Sequence, residues 1–256
     1  MKTPKDFYII TGASKGLGSA LAIEVSNKNT TLLLISRDEN KLASIAQQCL
    51  KKGAIVFTII DDITNDGFSE VFNKYLFQIS SGHINRMFLI NNASVIDPIN
   101  KLFNINKQDQ KNIIDVNLTA TIWITSEFLR ASYNFTPTET FVINISSGVS
   151  LKPISGWSLY CISKSGINML TACVAEESAD WNNKVYAVAI NPGALDTDMQ
   201  KKIRESNIQE SPIADRFIKM HQDGKLHVPQ TVAKKILNFL NEKEFVNGSF
   251  VDFNLL

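Results

Sequence analysis

The sequence predicts an α/β fold around a parallel sheet, on three observations. Short apolar runs of β type alternate with helix-like stretches along the chain, the pattern of parallel strands joined by crossover helices. The first run enters a glycine-rich turn, Thr11-Gly12-Ala13-Ser14-Lys15-Gly16-Leu17-Gly18, and then a helix. Length and composition fit one substantial core, with 256 residues, 44% hydrophobic and 20% charged.

Taken in order, Phe7-Tyr8-Ile9-Ile10 reads as a buried first strand over 8–10, and residues 19–25 as the helix after the turn. Further strands are expected over 31–35, 55–59, 87–90, 141–145, 185–190 and 249–251, with helices between them. The two longest helices fall around 111–131 and 158–179. Right-handed crossovers then place a ligand crevice where the strand order reverses. No repeat, low-complexity tract or linker interrupts the chain. Residues 1–256 are therefore expected to form a single doubly wound domain, its parallel seven-stranded sheet flanked by helices. The least regular stretch is 195–228, which holds Pro212 and Gly224 and mixes charges with Ile203, Ile208 and Phe217. A surface excursion is the plain reading; its place after Pro192-Gly193 favours a substrate lid.

Composition narrows the function. A formal net charge of +1 gives no reason to expect nucleic acid or an anionic membrane as partner. The amino terminus lacks the apolar stretch of a signal peptide, and no apolar run is long enough to span a bilayer. Cys49, Cys161 and Cys173 have neither the even count of a disulfide framework nor metal-ligand spacing, so a reducing cytoplasm is expected. His83, His221 and His227 are scattered without partners at ligand spacing, and no metal site is expected.

Two constellations carry chemistry. Tyr160 and Lys164 stand four residues apart at the start of a helix, which stacks them on one face. An ammonium beside a phenol favours the phenolate and draws its pKa down towards the working range. Ser147, thirteen residues before Tyr160, follows the strand at 141–145, so its hydroxyl is expected at a strand's carboxyl end. A hydroxyl to hold a carbonyl oxygen, an acid to protonate it and a cation to tune the acid are what ketone reduction needs. The glycine turn is the second constellation. Following the first strand and opening a helix, it can offer backbone amides and a helix amino end to a pyrophosphate, with Gly12, Gly16 and Gly18 allowing the close approach. Either motif alone has a bland alternative, a tight connection or a helix surface pair; their conjunction is what persuades.

Together these residues resemble the short-chain dehydrogenase/reductase family, whose fold is of the Rossmann type. The resemblance extends to Asp62 after the third strand, Asn91-Asn92-Ala93 after the fourth, and Asn117 in Val116-Asn117-Leu118. It also takes in Asn191-Pro192-Gly193 and Thr197, all in the family's order and spacing. It implies a catalytic set of Ser147, Tyr160, Lys164 and Asn117. Tyr160 would give a proton to the developing alkoxide, Lys164 would also hold the nicotinamide ribose, and Asn117 would organise a water path for reprotonation. A buried amide satisfying helix backbone is a compatible role for Asn117. Cofactor contacts are implied for Gly12, Ser14, Lys15, Gly16, Leu17 and Gly18, and for Asp62 and Ile63. Asn91, Asn92, Ala93, Tyr160, Lys164, Pro192, Gly193, Leu195 and Thr197 complete that implied set. A homodimer is implied too, through the long helices carrying Asn117 and Tyr160.

Cofactor choice is read at the end of the second strand. An NAD-selective enzyme would place a carboxylate there for the ribose hydroxyls; this chain has Ser36-Arg37, and a guanidinium fork suits a phosphate. Lys15 could add a second positive charge, and NADPH is the expected cofactor. The alternative makes Arg37 a solvated side chain and Asp38 the ribose ligand.

Within the family the chain resembles the sepiapterin reductase and benzil reductase branch, through Gly156-Trp157-Ser158-Leu159-Tyr160-Cys161, residues 192–200 and Val251-Asp252-Phe253. Asp252 looks like the aspartate that anchors the pterin ring in sepiapterin reductases, while Pro98 and residues 152–157 look more like the benzil-reducing members. A small-molecule carbonyl, first a benzil-type 1,2-diketone and alternatively a pterin side-chain ketone, is the expected substrate. Ser147, Trp157, Tyr160 and Asp252 are its candidate contacts. For Trp157 a packing role at the helix entry, and for Asp252 an ordinary strand-end carboxylate, are the alternatives. One departure stands out: Ser94 follows Asn-Asn-Ala where the family usually has glycine, which is expected to shift the loop beside the cofactor. A different class stays open, a dinucleotide-binding regulator without catalysis, although such a protein could discard Tyr160 or Lys164 and this one keeps both.

Overall fold

A computed structural model describes residues 5–80, 84–206 and 213–254. The expected Ile208, Pro212 and His83 lie outside the described residues. Seven strands are present among the described residues: β1 Lys5–Thr11, β2 Thr30–Ser36, β3 Ile55–Ile60, β4 Ile84–Asn91, β5 Glu139–Ile145, β6 Lys184–Asn191 and β7 Phe250–Asp252. They form one sheet in the order β3-β2-β1-β4-β5-β6-β7, and every neighbouring pair is parallel. The order reverses between β1 and β4, and a crevice opens there beyond the carboxyl ends.

Parallel strands covered on both faces read as continuous apolar runs, because alternate residues enter two separate cores. Phe7 and Ile9 enter one core, with Leu33, Met87, Leu89 and Val142. Tyr8 and Ile10 enter the other, with Leu34, Ile90, Ile143 and Ile190. Helices α1 Gly16–Val25, α2 Glu39–Lys51 and α9 Pro229–Glu242 cover the second core; α3 Phe68–Ser80 and α5 Ala120–Phe135 cover the first. Across that second face Tyr8, Phe88, Phe141 and Tyr186 share one register and stack ring on ring, with centroids 4.2, 4.5 and 4.9 Å apart.

The helix expected around 111–131 begins earlier and is not uniform. Helix α4, Lys107–Ile114, runs into a π turn at Asp115–Thr119 and then into α5. π turns inside helices occur often at functional sites, and this one carries Asn117. Helix α6, Ser158–Glu177, packs closely on the turn: a Cβ on Gly166 would stand 3.0 Å from Leu118 Cδ1. The stretch expected as an irregular lid contains α7 Asp198–Glu205 and α8 Ala214–Gln222. Both are amphipathic, and Thr197 caps α7 by accepting the Gln200 N–H. Their high charge content makes the stretch read as loop although each keeps an apolar face.

Candidate active site

The two turns flanking the crevice are tied together. Thr11 Oγ1 accepts the N–H groups of Asn92 and Ala93, both at 3.0 Å, while the Asn92 amide donates to Thr11 O at 3.0 Å and Gly12 O at 3.2 Å. Gly12 has φ +67°, and a Cβ there would lie 2.9 Å from Asn92 Nδ2; one on Gly18 would lie 2.4 Å from Gly12 O. These glycines let the turn fold onto its neighbour and onto α1. Helix α1 opens without a side-chain cap and with no acidic residue in its first turn, leaving its amino-terminal N–H groups free for an anion.

The crevice is a cleft of about 1300 Å³, larger than the ~300–1,000 Å³ of a pocket for one small ligand. One side is polar, with Ser14, Lys15, Gly16 and Leu17 from the glycine turn, Ser36 and Arg37 after β2, and Asp62 and Ile63 after β3. Arg37 Nη1 pairs with Asp62 Oδ2 at 3.0 Å. Burial alone would raise the Asp62 carboxyl, but hydrogen bonds from Thr64 and Arg37 hold it below the usual range. Lys15 Nζ reaches Asp198 Oδ2 at 2.7 Å, linking the glycine turn to α7. Asp38 is occupied elsewhere: it caps α2 by accepting the Lys41 N–H at 3.1 Å. An uncapped helix start, two adjustable cations and a glycine cradle fit a dinucleotide.

The other side of the cleft carries Ser147, Tyr160 and Lys164. Tyr160 lies in the first turn of α6 and is 9% exposed, buried in the cleft. Ser147 follows β5 and caps a short turn, accepting the Val149 N–H. Lys164, 3% exposed, donates to Ile145 O at 2.7 Å, and its ammonium lies 5.5 Å from the centre of the Tyr160 ring. Among the described residues no carboxylate pairs with it.

The electrostatics differ from the expectation of a lysine-lowered phenol. Burial pushes Tyr160 up to about 12, against hydrogen bonds from Ser94 and Ser147 that favour the phenolate. Burial also pushes Lys164 down to about 8. Desolvation acts on both groups, and the lysine faces the ring of Tyr160 while its hydrogen bond goes to backbone.

Ala93, Pro192, Gly193, Leu195 and Thr197 line the cleft, as do Trp157 and Asp252. Gly18, Asn91 and Asn117 stand behind it. Asn91, the last residue of β4, turns its amide to Thr125 and Asn144 on the opposite side. Asn117 is 1% exposed and joins the site through Ser94 and Val95. Asp252 Oδ1 accepts from Asn191 Nδ2 and from the backbone and side chain of Asn254, at 2.8–2.9 Å. Trp157 stands edge-on to Tyr160 and stacks on Phe217 of α8 at 6.2 Å with 10° between the planes. With Ile96, Val149, Ile203 and Ile213 these rings make an apolar wall. Sequence reading placed Ile203 and Phe217 in the expected lid without naming them as site residues, a step the amphipathic spacing of α7 and α8 would have allowed, and it missed Ile96 and Ile213.

Comparison with known proteins agrees with this geometry. A family model described as short chain dehydrogenase matches residues 7–208. The chain is 35% identical to the benzil reductase ((S)-benzoin forming) of Bacillus cereus, over 96% of this chain and 98% of that protein. It is 32% identical to the sepiapterin reductase of Rattus norvegicus, over 96% and 95%. Among solved structures, KRED1-Pglu matches with a TM-score of 0.82 at 24% identity, over 96% of this chain and all of the other. A variant actinorhodin polyketide ketoreductase with NADPH matches at 0.80 and 18%, over 97% and 95%. The fold is common to all of these, and the family binds nicotinamide cofactors. The chain therefore belongs to the short-chain dehydrogenase family and is an oxidoreductase of carbonyl and alcohol groups.

Proposed function

We propose that this protein is an NADPH-dependent reductase of aromatic 1,2-dicarbonyls of the benzil type. The observation that carries it is the buried Tyr160 hydroxyl, set in the cleft beside Ser147, with Lys164 on the ring behind it. When bound, the reduced nicotinamide supplies the hydride. Ser147 donates a hydrogen bond to the carbonyl oxygen and fixes its position. Tyr160 gives its proton to that oxygen as negative charge grows on it. Lys164 stabilises the phenolate left behind, and Asn117 stands on the route by which the site regains a proton. The preference for NADPH rests on Arg37 and Lys15, both exposed enough to turn from their carboxylate partners to a ribose phosphate. Asp38, engaged as the cap of α2, leaves the ribose without a carboxylate from that strand end.

The apolar wall of Trp157 and Phe217 suits a flat aromatic ketone. Asp252 already accepts three hydrogen bonds on one oxygen, which weighs against its serving as the anchor of a pterin ring. Similarity to the rat sepiapterin reductase keeps a pterin ketone as the second reading. We further propose that residues 1–256 act as one domain, with 195–228 as a lid that α8 closes through Phe217. Exposed apolar residues on α5 and α6, Ile122, Tyr133, Ile162 and Met169, support a homodimer formed through those helices. Three free cysteines suit a cytoplasmic home. Among the described residues no helix is long and apolar enough to cross a membrane.

Turnover of benzil and sepiapterin with NADPH and with NADH, for the wild type and Asp252→Ala, tests the reading. Benzil reduction is expected to persist in the variant. Selective loss of sepiapterin reduction, with sepiapterin the better wild-type substrate, moves the assignment to pterins. NADPH binding without oxidation across a carbonyl panel would make the protein a silent dinucleotide binder.

A further inference from the structure

Helix α8 and the residue before it turn one face to the cleft. Ile213, Arg216, Phe217 and Met220 line it, at the i, i+3, i+4 and i+7 spacing of a single helix face. Three of the four are apolar, and Phe217 stacks on Trp157. Arg216 is the exception. Asp215, Lys219 and His221 of the same helix are not part of the cleft lining. A second cation comes from the segment after Ser147, where Leu151, Lys152, Pro153 and Ile154 line the cleft. Ile154 packs in one apolar cluster with Trp157, Ile213 and Phe217. Lys152 stands two residues from Ile154 and Arg216 one from Phe217, so both cations flank the same apolar wall.

The other charged groups lining the cleft are engaged. Lys15 pairs with Asp198, Arg37 with Asp62, and Lys164 donates to Ile145 O. Asp61 accepts from Asn65, Asp196 pairs with Arg204 at 3.7 Å, and Asp252 accepts from Asn191 and Asn254. Lys152 and Arg216 are exposed, and among the described residues neither has an ion pair. Two uncompensated positive charges beside an apolar ring site favour a ligand that is flat and apolar in its body and negative at its rim. A guanidinium takes a carboxylate through two N–H groups, and an ammonium adds a point charge. We propose that Arg216 and Lys152 form a subsite for an acidic group, so that the preferred substrate is an aromatic dicarbonyl with a carboxylate on its ring, away from the carbonyl held by Ser147 and Tyr160. Benzil itself would fill the apolar wall and leave both cations unused. The inference deepens the reductase reading and rests on it.

The test uses three probes with NADPH: benzil, benzil with a carboxylate para on one ring, and the methyl ester of that acid, which keeps the size without the charge. For the wild type, kcat/KM for the acid is expected to exceed that for the ester about tenfold, the lower end of the scale for a charge-assisted contact because both cations are exposed. That preference should lie in KM and shrink with added salt. Arg216→Gln is expected to remove most of it and Lys152→Gln a smaller share, while Arg216→Glu should turn it into discrimination against the acid. Equal kcat/KM for acid and ester in the wild type, or a preference that survives Arg216→Glu, overturns the subsite, and turnover of benzil in the same assays leaves the reductase reading standing. A preference lost together with NADPH affinity, measured by fluorescence titration, overturns it as well, because Arg216 then serves the cofactor. Failure to reduce any of the three probes with NADPH bound sinks the reading itself, and the subsite with it.

Discussion

At opposite ends of the sheet a lysine lies against a tyrosine ring, at nearly the same distance. Lys164 is 5.5 Å from the centre of Tyr160 above the carboxyl ends, and Lys243 is 5.4 Å from the centre of Tyr186 near the amino ends. What differs is the counter-charge. Lys243 is ion-paired with Glu139 and also lies over Phe141 in the stacked ladder. Lys164 is buried against a backbone carbonyl, without a carboxylate among the described residues. A half-buried charge with its partner is ordinary structure, whereas a buried charge without one costs stability and marks a site where the cost serves chemistry.

The comparison breaks first at the tyrosines. Tyr160→Phe deletes only a hydroxyl, yet it is expected to lower kcat for carbonyl reduction by ~10²–10⁴-fold, the share of general acid catalysis. Its fold and NADPH binding should persist. Steady-state kinetics with the cofactor titrated separately checks this, and near-normal turnover would end the case for Tyr160 as the acid.

Next come the lysines, read through stability without ligand. Burial lowers Lys164 from 10.5 to about 8, so between those pH values the unfolded chain holds a proton that the folded chain has lost. Stability from this group therefore rises with pH across about 8 to 10.5, and below 8 the full penalty of the buried charge applies. Lys164→Met should abolish that rise. It should also stabilise the free protein near pH 7, by on the order of 1–3 kcal/mol. Lys243→Met should do the reverse at neutral pH by stranding Glu139. Denaturant midpoints at pH 7 and 9.5 measure both; equal responses would mean that the two sites are alike.

Arg37 sharpens the rule, because it is a paired cation at the working end. If the Arg37–Asp62 pair were only a surface salt bridge, its loss would cost ~0–1 kcal/mol of stability and leave the cofactors indifferent. Arg37→Ala is instead expected to weaken NADPH ~10–100-fold, the scale of a charge-assisted contact with phosphate, and NADH little. Fluorescence titration with both cofactors separates these outcomes.

Much of this was legible in the sequence. Apolar runs between glycine and helix signals located the seven strands seen among the described residues, the central ones because a strand buried on both faces must be apolar throughout, the half-exposed edge strands β3 and β7 by their β-branched and aromatic residues. Ser147, Tyr160 and Lys164 were legible because a helix repeat and a strand end fix where such side chains stand. The π turn at Asn117 was not, since a one-residue widening of a helix leaves its apolar periodicity almost intact. Nor was the apolar wall of the cleft as a whole: Trp157 was named as a candidate contact, but its partners Ile96, Ile203 and Phe217 come from separate segments that meet it only in the folded chain. The raised phenol was missed for a related reason. Spacing reveals that a lysine is near, while burial, the larger influence here, depends on everything packed around it.

The smallest expected effect is at Tyr186. Its ring stacks on Phe141 at 4.9 Å with 17° between the planes, meets Phe245 edge-on, and lies beneath the Lys243 ammonium. Tyr186→Phe keeps the ring and every one of those contacts, so stability should change by less than about 1 kcal/mol and kcat not at all. Tyr186→Ala removes the ring itself and should cost ~3 kcal/mol or more. The same oxygen is deleted in Tyr186→Phe and Tyr160→Phe. At the amino end the tyrosine works through its face, at the carboxyl end through its hydroxyl, and thermal unfolding beside turnover for the two phenylalanine variants distinguishes those uses directly.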